Sequence, residues 1–325
     1  MPAAPAPRRI VALCGGVGGS KLALGLYKLM EPGSLTLVVN TGDDFEHLGL
    51  HVSPDIDTVL YTLAGLADPV QGWGRHDETW NFMDTLARLG GPAWFRLGDR
   101  DLAMHVRRTD RLRAGASLAE VTREFTEFLN IDAEVVPMTS DRARTMVDTD
   151  EGLLPFQEYF VARRCEPPLR KVLLQGAASA HAHPEVLAAM AAPTTRAIVI
   201  CPSNPYLSIA PILAIPGIKA AIAAARAPVI AISPIVGGEA VKGPTAKIMR
   251  ELGKPVTQDE IAAHYRGLIQ GLVLDESDRD AASRIGLSCR IASTVMRTLD
   301  DKVRLARDVC EFADALRLSS IEPGH

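Results

Sequence analysis

The chain has 325 residues, of which 47% are apolar, 23% charged and 5% aromatic, and its formal net charge is −4. That length buries a full core without disulfide staples and allows one large domain or two. Without a basic excess there is no field to hold nucleic-acid phosphates, so DNA and RNA binders are set aside, and the aliphatic composition favours α/β packing.

In chain order, the Pro/Ala-rich stretch Met1–Arg9 is expected to be a floppy tail. Ile10–Cys14 then reads as a buried parallel strand, because it is apolar without alternation. So do Leu35–Asn40, Val172–Gln175, Ala197–Cys201, Val229–Ser233 and Leu272–Asp275. Repeated strand–turn–helix units predict an α/β fold, a Rossmann-like doubly wound and mostly parallel sheet, with residues 10–52 and 165–318 as its core. Residues 53–164 read as a mainly helical insertion that roofs the strand ends. One helix opens at Ser53-Pro54 with Val59, Leu60, Leu63 and Leu66 as its apolar stripe. Another opens at Ser117, whose capping box closes on Glu120, with Leu118, Val121, Phe125 and Phe128 on its stripe. Short strands are expected at Met146–Val147 and Phe156–Val161. The five cysteines include no C-x-x-C pair and read as free thiols in a reducing compartment. No apolar stretch is long enough to cross a membrane and no signal peptide is visible, so a cytoplasmic location is expected.

Ligands of open α/β sheets bind beyond the carboxyl ends of the strands, so the segments after each strand carry the chemistry. The first is Gly15-Gly-Val-Gly-Gly-Ser-Lys21, where glycines let a phosphate approach the backbone and a helix N-terminus. It is not a P-loop, and Lys21 stands where the last glycine of a dinucleotide fingerprint belongs. Gly16, Gly18 and Gly19, with Ser203, Asn204, Gly237 and Gly238 from later loops, are the candidate nucleotide and phosphate contacts. Asp43, Asp44, Asp55 and Asp57 form an acidic cluster able to hold Mg²⁺, with Asp43 and Asp55 as candidate ligands. The bland alternative makes the first two turn residues and the last two first-turn acids that favour a helix dipole. Arg96–Asp101 alternates charge around a glycine and is either a solvated turn or an anion fork. Arg107, Arg108, Arg111 and Arg113 read as a solvated helix face. His76 and His105 are candidate bases, but no nucleophile motif accompanies them. Trp73, Trp80 and Trp94 form either an aromatic wall for a flat ring or ordinary core.

Six segments in order, Gly15-Gly-Val-Gly-Gly19, Val39-Asn-Thr-Gly-Asp-Asp44, Ser53-Pro-Asp-Ile-Asp-Thr58, Leu97-Gly-Asp-Arg-Asp101, Pro202-Ser-Asn-Pro205 and Ser233-Pro-Ile-Val-Gly237, together closely resemble the 2-phospho-L-lactate transferase family, from about Ile10 to the C-terminal helix. The resemblance implies a Rossmann-like core with a helical insertion. It also implies a Mg²⁺-dependent reaction that joins 7,8-didemethyl-8-hydroxy-5-deazariboflavin to a phospho-acid carried on GMP, with GMP leaving, in biosynthesis of coenzyme factor 420. The acid would be 2-phospholactate, phosphoenolpyruvate or phosphoglycerate. The family's deazaflavin-binding positions match Asp57 and Arg96, and Asp57 is then placed to orient the attacking hydroxyl or accept its proton. Pathway neighbours would be a guanylyltransferase and a glutamate ligase, and the protein is expected to be a homodimer. Two rivals stand beside this reading: an NAD(P)-dependent Rossmann oxidoreductase, with Asp43 or Asp44 near the ribose-binding position, and a non-catalytic nucleotide sensor of the same fold.

Overall fold

Ile10, Ala12 and Cys14 face one hydrophobic cluster, and Val11 and Leu13, between them in sequence, face another. A strand apolar on both faces needs helices on both, which is the condition for an interior parallel strand. In the computed structural model, which describes residues 9–241 and 243–319, seven strands form one parallel sheet. They are β1 (Arg9–Cys14), β2 (Leu35–Val39), β3 (Glu134–Pro137), β4 (Thr195–Ile200), β5 (Val229–Ile232), β6 (Gly271–Asp275) and β7 (Ser288–Ala292). Their spatial order is β3-β2-β1-β4-β5-β6-β7, with every neighbouring pair parallel. The chain order reverses direction at β1, between β2 and β4, and such a switch point opens a crevice at the strand ends. Of the expected tail, residues 1–8 lie outside the described residues, as does Lys242, and Arg9 already belongs to β1.

The helices on one face are α1 (Gly16–Leu29), α2 (Pro54–Leu63), α5 (Leu118–Phe128) and the C-terminal Leu299–Ser319. Pro184–Ala191, Ala210–Ala214, Ile218–Ala224 and Gln258–His264 cover the other face. Between α2 and α5 the chain forms α3 (Asn81–Arg88) and α4 (Asp99–Arg113). The stretch 53–164 is thus more than a roof: α2 and α5 pack in the core, and β3 closes one edge of the central sheet.

Four differences from the sequence expectations have physical causes. Val172–Gln175 lies in a strand, Leu169–Gln175, but this pairs antiparallel with Arg144–Thr149 in a separate three-stranded sheet that also holds Gly152–Pro155. Glu158–Ala162 is a π-helical turn and not a strand. Phe128, at the last turn of α5, is 81% exposed, because the helix runs past the core there. Ser53 does occupy the N-cap position of α2, but its hydroxyl donates to Asp44 Oδ2 at 2.8 Å instead of closing the helix. The capping box of Ser117 and Glu120 is complete. No single helix among the described residues is long and apolar enough to cross a membrane.

Candidate active site

A cleft of about 760 Å³ opens at the carboxyl ends of the strands. Its floor and one end come from the loops after β1, β2, β4, β5 and β7, and its other end from α2 and the segment leading into α4. Of the residues singled out in the sequence, Gly16, Gly18, Asp43, Asp55, Asp57, Arg96, Ser203 and Asn204 line it. Gly19 lies beneath the lining, where an added Cβ would stand 2.4 Å from Ser203 Oγ. Gly237 and Gly238 do not line it. They take φ of 59° and 78° at the turn of the hairpin that pairs Ile235–Val236 with Glu239–Ala240, a turn only glycine-like residues make without strain.

The glycine loop is braced from two sides. Ser203 Oγ donates to the Gly15 carbonyl at 2.8 Å and accepts from the Gly15 N–H at 3.2 Å. Asp55 Oδ1 accepts from the Gly16 N–H at 2.7 Å, and Asp55 Oδ2 from the Asn40 amide at 2.9 Å. A Cβ on Gly18 would come within 2.3 Å of the Pro202 carbonyl oxygen. This glycine is therefore required by the neighbouring loop, and a side chain there would disturb the fold of the rim as well as any ligand. Asn204 Oδ1 accepts from the N–H groups of Tyr206 and Leu207, while its amide nitrogen is buried without a hydrogen-bond partner.

Asp43, Asp44 and Asp55 are all buried, and Asp43 and Asp55 line the cleft. One oxygen of Asp43 and one of Asp44 are buried with no hydrogen-bond partner. The other Asp44 oxygen accepts from Ser53 and faces His51 Nε2 at 3.1 Å. Burial, with the Asp55 charge beside it, raises the Asp43 carboxyl well above its usual range. Burial also pushes Asp55 up to about 6, against the hydrogen bonds from Asn40 and Gly16. Arg144 is the nearby cation, itself depressed by burial.

Asp57 sits one helical turn beyond Ser53 but in a different electrostatic setting. Arg108 of α4 grips both of its oxygens, Nη1 at 3.1 Å and Nη2 closer still, and both side chains are buried. Burial pushes the Asp57 carboxyl up, and the Arg108 guanidinium, which does not release its proton, opposes that by favouring the carboxylate. Arg108 Nη1 also lies 3.2 Å from His105 Nδ1, and His105 Nε2 stands 3.3 Å from Asp101 Oδ2. The Tyr61 hydroxyl donates to Asp101 Oδ1 at 2.5 Å. Asp57, Asp101 and His105 bring ligand atoms within 4.8 Å of one another, a compact group that the sequence did not single out as a set. The rings of Trp73, Trp94 and Phe95 line the same cleft, and Arg96 lies 4.0 Å over the Trp80 ring. Trp94 and Phe95 pack edge-on against Phe45 and His47, which fixes the wall from behind.

A sequence profile of the 2-phospho-L-lactate transferase CofD matches residues 10–301. The chain belongs to this family. A phosphoenolpyruvate transferase of Streptomyces coelicolor is 41% identical over 318 residues, covering 95% of this chain and 99% of that protein. A 2-phospho-L-lactate transferase of Methanocaldococcus jannaschii is 38% identical over 311 residues, covering 94% and 99%. A crystal structure of a UPF0052 protein from Bacillus halodurans superposes with a TM-score of 0.62 at 16% identity, covering 94% of this chain and 99% of that one, so the two share a fold. The protein is thus a CofD-type transferase, and the oxidoreductase rival falls with the family assignment.

For a CofD-type transferase, the sequence passed over Arg108 and Tyr61 as site residues and read Asp101 only as part of the Arg96–Asp101 charge alternation. Arg108 was expected on a solvated helix face and is instead 1% exposed. A signal was present: Asp101, His105 and Arg108 stand at i, i+4 and i+7, one face of a helix. Nothing local says that this polar face is the buried one.

Proposed function

We propose that the protein transfers a phospho-acid from a GMP-linked donor to the ribityl hydroxyl of 7,8-didemethyl-8-hydroxy-5-deazariboflavin, releasing GMP, a phosphotransferase-type step in biosynthesis of coenzyme factor 420. The observation that carries this reading is the two-ended cleft. One end offers the glycine loop, Ser203 and Asn204 to a nucleotide diphosphate, and the other offers an aromatic wall with Asp57 and Arg96 to a flat ring. Phosphoryl transfer needs positioning and charge neutralisation more than covalent help from the protein. Asn204 presents a buried amide donor where a phosphate oxygen can use it. Asp57, ionised and held rigidly by Arg108, accepts a hydrogen bond from the acceptor and fixes its orientation. The tryptophans exclude water, the competing nucleophile.

Mg²⁺ fits the other end of the acidic cluster. Asp43 and Asp55, with Asp44 beside them, would hold it, since one oxygen each of Asp43 and Asp44 is buried without a partner and the raised carboxyl pKa values of Asp43 and Asp55 mark a site short of positive charge. Bound there, the ion supplies charge neutralisation for a diphosphate. Asp43 and Asp55 both titrate above their unfolded value of about 3.9. The stability that Asp55 lends the metal-free protein is therefore full below about pH 4 and is lost as pH rises through about 6, and Asp43 acts in the same sense. Mg²⁺ acts in the opposite sense, because it needs the ionised forms. At roughly a hundred times its Kd, Mg²⁺ should raise Tm by about 4 °C at pH 7.5 and hardly at all at pH 5. Equal shifts at the two pH values in scanning calorimetry would place the ion elsewhere.

The function itself is tested by mass spectrometry of the product formed from the deazaflavin, GTP and each candidate acid with a guanylylating enzyme present. The reading requires a phosphodiester of the deazaflavin and stoichiometric GMP. Tight NADH binding with no GDP binding and no product would overturn it.

A further inference from the structure

The cleft has a third wall that neither end of this reading uses. It is the segment Phe156–Arg164, of which Phe156, Gln157, Phe160, Val161 and Arg164 face the cavity. Phe156, Tyr159 and Cys165 anchor it in a small core with Leu207 and Ile248, beside the loop that carries Ser203 and Asn204. Lys247 Nζ donates to the Tyr159 hydroxyl at 3.2 Å and ties the wall down again.

Arg164 and Cys165 are successive residues with φ of +48° and +56°. L residues other than glycine and asparagine seldom adopt this left-handed conformation, and two in a row are held only by what surrounds them. Here the Arg163 N–H binds the Glu158 carbonyl at 2.9 Å, the Cys165 N–H binds the Tyr159 carbonyl at 2.9 Å, and the thiol is buried. At Arg164 the chain thus keeps a long cationic side chain where glycine would relax the backbone. Strain of this kind gathers at functional sites.

The cations lining the cleft among the described residues are Lys21, Arg96 and Arg164. Lys21 donates to the Met296 carbonyl at 2.9 Å, and Arg96 lies on Trp80. Arg164 makes no hydrogen bond or ion pair with the described residues. A donor made of a nucleotide and a phospho-acid carries two anionic parts. The backbone N–H groups of the glycine loop and the Asn204 amide suit the diphosphate. The acid's carboxylate needs a planar two-pronged donor, and a guanidinium is that shape.

We propose that Arg164 is the subsite for the carboxylate of the donor's acid, and hence the residue through which the enzyme tells a phospho-carboxylic acid from a plain phosphate ester. This rests on the function proposed above. Two variants test it beside the wild type, Arg164→Gly and Arg164→Lys, each assayed with the guanylylating enzyme, GTP, the deazaflavin and phosphoenolpyruvate, 2-phospho-L-lactate or 3-phosphoglycerate. Arg164→Gly should melt at or above the wild-type temperature, because the backbone strain is relieved. Its GDP affinity by calorimetry should stay within about 2-fold, while kcat/KM for the acid donor falls about 10²-fold, the scale for truncating one side of a charged hydrogen-bonded pair. Arg164→Lys should recover part of the loss, as a point charge without the fork. Wild-type turnover in Arg164→Gly would overturn the proposal. So would a matching loss of GDP affinity, which would assign the arginine to the nucleotide phosphates. A wild-type enzyme that makes no product with any acid would sink the functional reading and this subsite together.

Discussion

Asp57→Asn is expected to lose 10²–10⁴-fold in kcat and, separately, about 3–5 kcal/mol of stability. The stability loss follows from Arg108. Its guanidinium is 1% exposed and bonded to both Asp57 oxygens, so an amide at position 57 leaves a buried, uncompensated cation. As a first-turn acid acting only on the helix dipole, Asp57 would be worth about 0.3–1 kcal/mol. One melting curve therefore separates an ion pair from a dipole effect. Activity needs a second variant, because a destabilised enzyme can lose turnover for trivial reasons. Removing both charges in Asp57→Asn/Arg108→Met should restore most of the stability, since a buried pair replaced by neutral groups costs little. Turnover should stay low. If the double variant regains wild-type kcat, Asp57 serves the fold alone, and its place in acceptor binding is lost.

Asn204→Asp should still fold, with a lowered melting temperature because the new carboxylate oxygen is buried without a partner, and should weaken GDP binding by about 10²-fold or more. The side chain does two jobs with two atoms. Its Oδ1 accepts from the Tyr206 and Leu207 N–H groups at 2.9 and 3.1 Å, and aspartate does this equally well. Its amide nitrogen is buried without a partner, and aspartate turns that donor into a negative oxygen. A hydrogen bond to a charged group is worth about 1.5–3 kcal/mol, and repulsion of the phosphate adds to the loss. Calorimetry with GDP reads the effect directly, and circular dichroism with a melting curve confirms the fold. Affinity within a few-fold of wild type would mean that the nucleotide does not reach Asn204.

The two variants differ in what the chain reveals unaided. Asn204 follows a strand, and every segment after a parallel strand arrives at the same rim, so its neighbourhood is readable from the order of elements. The same logic brings Gly16, Gly18, Asp43 and Ser203 to one cleft. Five apolar runs are legible as central strands, because burial on both faces leaves no polar alternation. Family membership is legible from six short segments in order, and the match over residues 10–301 agrees with it.

What only the tertiary structure decided is which surfaces meet. Glu134–Pro137 is four residues long within a helical stretch, and Ser288–Ala292 carries Ser288 and Arg290 on a sheet-edge strand, so neither announces itself as part of the sheet. Val172–Gln175 looks like its parallel neighbours because an apolar run records burial and not the partner that buries it. Gly18 looks like a phosphate glycine, yet it is the Pro202 carbonyl, 184 positions along the chain, that forbids a side chain there. Asp57 and Arg108 lie 51 positions apart, each with an ordinary local explanation as a helix-end acid and a surface arginine. Helical spacing puts Asp101, His105 and Arg108 on one face, but only the packing of α4 over α2 turns that face inward, where low polarity makes the pairing obligatory.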